Sequence, residues 1–179
     1  MRVITGTARG RNLKEPQGLD IRPTSSMVKE SMFSIVQFDI EGRRVLDLFG
    51  GTGQLGIEAA SRGAAEVVIV DESREAIKII KENVGHCKLP QVKVRQEEAV
   101  GFLRRGEKFD LIFIDPPYDT GLAESSLKTI KEFDILSEGG IIICETRLET
   151  NLPELSPPYL MRREYRYGKV KITVYAKES

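Results

Sequence analysis

Tryptophan is absent from these 179 residues, histidine occurs once and cysteine twice. A single histidine cannot build a histidine cage, and Cys87 and Cys144 have no metal-site spacing, so no metal is expected. The scarcity of cysteine leaves no disulfide framework, and a reducing cytoplasm is the expected setting. No apolar run approaches the roughly 18 residues that span a bilayer. The opening MRVITGTARG lacks the apolar core of a secretory signal. Net charge is also missing: 27 basic side chains balance 27 acidic ones, which counts against a general polyanion binder. Repeats, low-complexity tracts and clear linkers are lacking too. The length fits one domain, 1–179, and a monomer is expected.

The charge that is present is unevenly placed. Residues 1–14 carry Arg2, Arg9, Arg11 and Lys14 and no acid. Near the other end, Arg162, Arg163, Arg166, Lys169 and Lys171 face only Glu164. Two basic ends form one phosphate-contacting patch if the fold joins them; otherwise they are solvated surface.

Between these ends runs an α/β rhythm. A short N-terminal hairpin, Arg2 to Thr7 returning at Asn12 to Lys14, leads into an irregular Pro- and Gly-rich stretch. Val28, Met32, Ile35 and Val36 share one face of a helix over 25–37. Strands are then expected at 45–49, 66–70, 92–94, 111–114 and 141–144, with intervening helices. One helix stops at Gly85, and a turn at Glu138-Gly139-Gly140 precedes the last of these strands. Alternation of this kind implies a parallel, doubly wound, Rossmann-like sheet. Tyr159 to Tyr167 and Lys169 to Ala176 meet at Gly168 with no helix between them, so an antiparallel hairpin closes the sheet.

Two motifs carry chemistry. Gly51-Thr52-Gly53-Gln54-Leu55-Gly56 follows a strand and opens a helix, with Asp71 about 20 residues on. Alone it reads as a dinucleotide fingerprint, or simply as a turn that packs a helix on a strand. Asp47 changes that reading. A carboxylate just before the loop would repel a pyrophosphate, whereas it suits an ammonium group such as that of S-adenosylmethionine. Asp71 would then hold the ribose. The second motif is Asp115-Pro116-Pro117-Tyr118, at the end of the apolar strand Leu111 to Ile114. An aromatic exocyclic amine is a poor nucleophile because its lone pair is delocalised. Two acceptors, the Asp115 carboxylate and the Pro116 carbonyl, can turn that lone pair out of the ring plane, and Tyr118 can stack on the base. By itself the tetrad is equally a rigid turn. Paired with the glycine loop across the switch point of an open sheet, it reads as a methyltransferase site.

At these residues the chain resembles the RsmD family of bacterial guanine-N2 methyltransferases that act on 16S ribosomal RNA. Arg2-Val3-Ile4-Thr5-Gly6 with Arg9-Gly10-Arg11 looks like the family's opening hairpin. Arg22-Pro23-Thr24 with Val28-Lys29-Glu30 resembles a motif that lies over its cofactor. Asp47 to Gly53, Leu55 to Ala59, the tetrad and Tyr167-Gly168 continue the match. The resemblance implies a class I methyltransferase fold, with 1–23 as an RNA-contacting extension and 24–179 as the catalytic core. It implies S-adenosylmethionine held by Thr24, Asp47, Gly50, Gly51, Gly53, Asp71, Glu98 and Ala99. It also implies catalysis by Asp115, Pro116 and Tyr118, and RNA contacts from Arg2, Arg9, Arg11 and Lys14. Ribosomal RNA in a small-subunit particle is the implied partner. Glu98 and Lys29 stand where the family usually has Asp or Asn and Arg, and Gly50 where Ala is frequent. Competing readings are DNA adenine-N6 or protein glutamine methylation, an NAD-dependent oxidoreductase, and a non-catalytic RNA-binding module.

Overall fold

Three of the helices start where a side chain accepts from a free amide of the first turn. Ser25 Oγ accepts from the Val28 N–H at 3.3 Å and opens α1 (Ser26–Ile35), which buries Val28, Lys29, Met32 and Phe33. Ser73 and Glu98 cap later helices in the same way. The computed structural model describes residues 1–17 and 25–178. The Arg22-Pro23-Thr24 motif, and with it the expectation for Thr24, lies outside the described residues.

After α1 the order is β1 (Arg44–Asp47), α2 (Gln54–Ser61), β2 (Glu66–Asp71), α3 (Arg74–Cys87), β3 (Val92–Gln96) and α4 (Ala99–Leu103). There follow β4 (Phe109–Ile114), α5 (Leu122–Phe133), β5 (Leu136–Arg147), β6 (Tyr159–Tyr167) and β7 (Val170–Lys177). The seven strands form one sheet in the order β3-β2-β1-β4-β5-β7-β6. β1 to β5 run parallel, and β7 and β6 are antiparallel additions. The order reverses between β1 and β4, so a crevice opens beyond their carboxyl ends. Asp47 stands opposite Phe113 in that register.

Side-chain alternation divides the core into two layers. Leu111 and Phe113 join Phe33, Ile57, Ile69 and Ile80 on one face. Ile112 and Ile114 join Phe102, Leu127, Ile130 and Tyr175 on the other. A strand buried on both faces needs a continuous apolar run, and Leu111 to Ile114 supplies it. Among the described residues no helix is long and apolar enough to cross a membrane.

Three local expectations change. The N-terminal hairpin reduces to a single antiparallel bridge, Arg2 to Asn12. Val3 and Leu13 still donate across it, to Arg11 and Met1, but the pairing stops there because the Ile4 and Thr5 N–H groups donate to the Glu58 carboxylate at 2.9 and 3.0 Å. α3 passes through Gly85 and ends at Cys87, capped by Lys88 at φ 54°. Burial of Cys87 and Leu89 draws the chain on past the glycine. The Gly139-Gly140 turn is an irregularity inside β5, where the pairing slips between Phe109–Leu136 and Leu111–Ile141.

Candidate active site

The crevice holds a cavity of about 440 Å³. One wall is the loop Leu48 to Thr52 after β1, and another is Asp115 to Tyr118 after β4. Asp71 from the end of β2, with Glu98 and Ala99 at the start of α4, completes it. The two motifs, more than sixty positions apart in sequence, therefore face one space.

The glycine loop is shaped by close packing. A Cβ on Gly50 would fall 2.5 Å from Ile69 Cγ2, so the bare backbone lets the loop press on β2. Gly51 has φ 60° and an open side, and its N–H donates to Asp71 Oδ2 at 2.9 Å. The other Asp71 oxygen accepts from the Ser73 N–H at 2.9 Å. Gly53 (φ 86°) precedes α2 and does not line the cavity.

Asp47 is also absent from the wall, which corrects the expected direct approach to an ammonium group. It is fully buried beneath the loop, where Oδ2 accepts from the Gly56 N–H at 2.9 Å. Its Oδ1 is buried with no hydrogen-bond partner among the described residues. Burial, with a smaller contribution from Asp71, pushes its pKa up to about 8. Glu98 reaches the cavity, but both its oxygens cap α4, accepting from Val100 and Gly101 at 3.0 and 2.8 Å.

Asp115 is half-buried and Pro116 buried at the opposite wall. Tyr118 is held at two points by β5. Its hydroxyl donates to Glu145 Oε1 at 3.0 Å, and the Arg147 guanidinium carbon lies 4.7 Å from its ring centroid. Arg147 Nε is 3.2 Å from an Asp119 carboxylate oxygen.

The four basic residues of the N-terminal segment do not act as one group. Arg2 and Arg9 line a second cavity of about 720 Å³, which adjoins the first at Gln54. Arg11 and Lys14 turn to α3, where Arg11 meets the His86 carbonyl and Lys14 Nζ pairs with Glu82 at 2.8 Å. At the other end, Lys171 pairs with Glu164 and Arg162 with Glu178.

Two residues that the sequence reading gave no role anchor this assembly. Glu58, fully buried on α2, receives Ile4, Thr5, Lys29 and Arg62. Burial opposes its charge, but the Ile4 amide and the Lys29 and Arg62 cations bring its pKa below the usual carboxylate range. Burial moves its partner Lys29 down as well, against the pull of Glu58. Asn83 on α3 joins the backbone of Lys14 to the Thr52 carbonyl of the glycine loop. The available signal was polarity in the wrong place: Glu58 beside Ile57 and Ala59, and Asn83 on the face of Ala76 and Ile80.

The comparisons with known proteins agree with this geometry. The Bacillus subtilis protein YlbH is 38% identical over 182 residues, 99% of either chain. The Escherichia coli K12 protein named ribosomal RNA small subunit methyltransferase D is 31% identical over 180 residues, all of this chain and 91% of that one. The solved structure of yhhF from Escherichia coli superposes with a TM-score of 0.90 at 32% identity, covering 99% of this chain and 98% of that chain. Residues 1–176 match the family model described as Conserved hypothetical protein 95, and the chain belongs to that family, the RsmD family of S-adenosylmethionine-dependent methyltransferases.

Proposed function

We propose that this chain transfers a methyl group from S-adenosylmethionine to the exocyclic N2 of a guanine in 16S ribosomal RNA, within a small-subunit particle in the cytoplasm. The observation that carries the reading is the single cavity shared by the glycine loop and the Asp115 to Tyr118 turn. The residues suit the cofactor. Asp71 offers a carboxylate to a ribose, Ala99 and Glu98 border the nucleoside end, and the open side of Gly51 admits close approach. Asp47 serves the same site from below, through Gly56.

The cofactor supplies an electrophilic methyl on sulfur. The protein supplies geometry. The Asp115 carboxylate and the Pro116 carbonyl each accept one N–H of the amine, which turns its lone pair toward the methyl group. Tyr118 stacks on the base with the ring face that Arg147 leaves open. As the nitrogen–carbon bond forms, the sulfur–carbon bond breaks and its electron pair stays on sulfur. The nitrogen then loses a proton, to Asp115 or to solvent. Positioning supplies most of the rate.

Labelled methyl transfer to small subunits from a strain lacking this protein, followed by mapping of the base, tests the reading. One N2-methylguanine in 16S RNA is expected. Label on adenine, or none at all, overturns it.

A further inference from the structure

On the edge that carries the target amine, guanine presents a second donor, the ring N1–H. Asp115 and Pro116 account for the amine, and N1–H needs its own acceptor. β4 and β5 run parallel with Ile114 opposite Cys144, so Asp115, just past the end of β4, and Glu145, still within β5, follow that pair in step. Burial first, then the Asp115 and Glu145 charges, push the Cys144 thiol up, so both carboxylates bear on one buried sulfur. Glu145 is 1% exposed. It lines a depression of about 180 Å³ that shares Pro116, Pro117, Tyr118 and Leu122 with the cofactor cavity. The Tyr118 hydroxyl donates to one of its two oxygens, Oε1.

We propose that Glu145 is the specificity-determining residue for guanine, its carboxylate accepting the N1–H of the base whose N2 is held at Asp115 and Pro116. The inference rests on the proposed reaction and extends it. Adenine carries a lone pair at N1, which a carboxylate repels. The group that receives guanine therefore rejects adenine, and discrimination by such a built-in hydrogen bond is far steeper than discrimination by shape alone. If Glu145 only steadied Tyr118, removing the tyrosine hydroxyl and replacing the carboxylate would have the same effect on every base.

The test uses small subunits reassembled with 16S RNA that carries either guanine or 2-aminopurine at the methylated position. 2-Aminopurine keeps the amine and lacks N1–H. The unaltered protein is expected to prefer guanine by at least about 100-fold in kcat/KM. Glu145→Gln keeps the shape and adds a donor, so the preference should shrink to about tenfold or less. Tyr118→Phe should slow both RNAs and leave their ratio intact. Equal rates of the unaltered protein on the two RNAs overturn the inference, as does an undiminished preference in Glu145→Gln. Failure of the unaltered protein to methylate the guanine RNA overturns the reaction itself. Should Glu145→Gln not fold, Glu145→Asp, which draws the carboxylate back by one methylene, takes its place: the preference should again shrink, and an undiminished preference overturns the inference.

Discussion

The Asn83 side-chain amide donates to the Thr52 carbonyl at 2.9 Å, and the same side chain exchanges two hydrogen bonds with the backbone of Lys14. One buried residue thus ties the cofactor loop to the N-terminal segment. Asn83→Ala strands three backbone groups, one of them in the loop. It should cost about 1–3 kcal/mol of stability and raise the S-adenosylmethionine Kd several-fold. Denaturant unfolding and calorimetric titration measure the two effects. An unchanged Kd would show that the loop holds its shape without this link.

In the proposed reaction, Asp115→Ala removes one of the two acceptors for the amine. Transfer should fall by roughly a hundredfold or more, while cofactor affinity stays within about twofold, because the Asp71 side of the cavity is untouched. Single-turnover transfer and cofactor titration separate the two quantities. Undiminished turnover would remove Asp115 from the reaction.

The elevated pKa of Asp47 makes stability depend on pH. The folded chain keeps the proton up to about pH 8, whereas the unfolded chain releases it near pH 4. Between these values the folded state binds the extra proton, so this residue lowers stability as pH rises. Asp47→Asn retains an acceptor for Gly56 and cannot ionise. It should gain on the unaltered protein as pH moves from 5 to 8, read as a growing difference in urea midpoint. A pH-independent difference would place the Asp47 pKa at an ordinary value.

Glu58 and Lys29 form an ion pair at 3.1 Å with both side chains buried. Glu58→Ala leaves the ammonium without its counter-charge and should cost about 3–5 kcal/mol. The double replacement Glu58→Leu with Lys29→Met should cost less than Glu58→Ala alone, because no charge stays buried. Thermal unfolding of the variants checks this order. Equal costs would mean that Lys29 finds another partner.

Deleting residues 1–14 is a poor test of RNA contact, since Val3, Ala8 and Leu13 belong to the core. Charge replacement is sharper. Arg2→Gln with Arg9→Gln should lower the salt slope of RNA binding by about 1–2 and leave cofactor affinity unchanged. Lys14→Gln should change the slope little, because Lys14 is already paired with Glu82. A larger effect from Lys14 would reverse this assignment.

The strand-and-helix rhythm was legible because buried parallel strands must be apolar and helices must be periodic, and Leu111 to Ile114 and Ala76 to Ile80 obey both rules. The convergence of the glycine loop and the tetrad was legible for a topological reason: ligands sit where strand order reverses. Asp47 was misplaced because spacing along a chain does not reveal depth. The residue stands at the right strand end but one layer beneath the surface that its charge was expected to serve. Family membership, rather than repulsion by Asp47, therefore separates this chain from nicotinamide enzymes. The N-terminal hairpin pairs over a shorter stretch than expected because sequence shows an amide's neighbours and not its distant acceptor, here Glu58 for Ile4 and Thr5. Glu145 gave no signal, since a single carboxylate near the end of a strand run is ordinary until its burial and its tyrosine partner are seen.

Gly6 (φ 93°) passes so close to α2 that a Cβ there would fall 1.8 Å from the Ser61 carbonyl oxygen. Directly after it, the Thr7 and Ala8 N–H groups both donate to Ser61, each at 2.9 Å. The stretch that bears Arg2 and Arg9 is thus clamped to the body rather than trailing from it. If the proposed RNA target is correct, docking on it spends no entropy on ordering a tail. Under the proposed function, a rigid basic edge of this kind meets its target as a die meets its blank, and RNA already folded to fit is expected to be preferred over strands that must be bent into place.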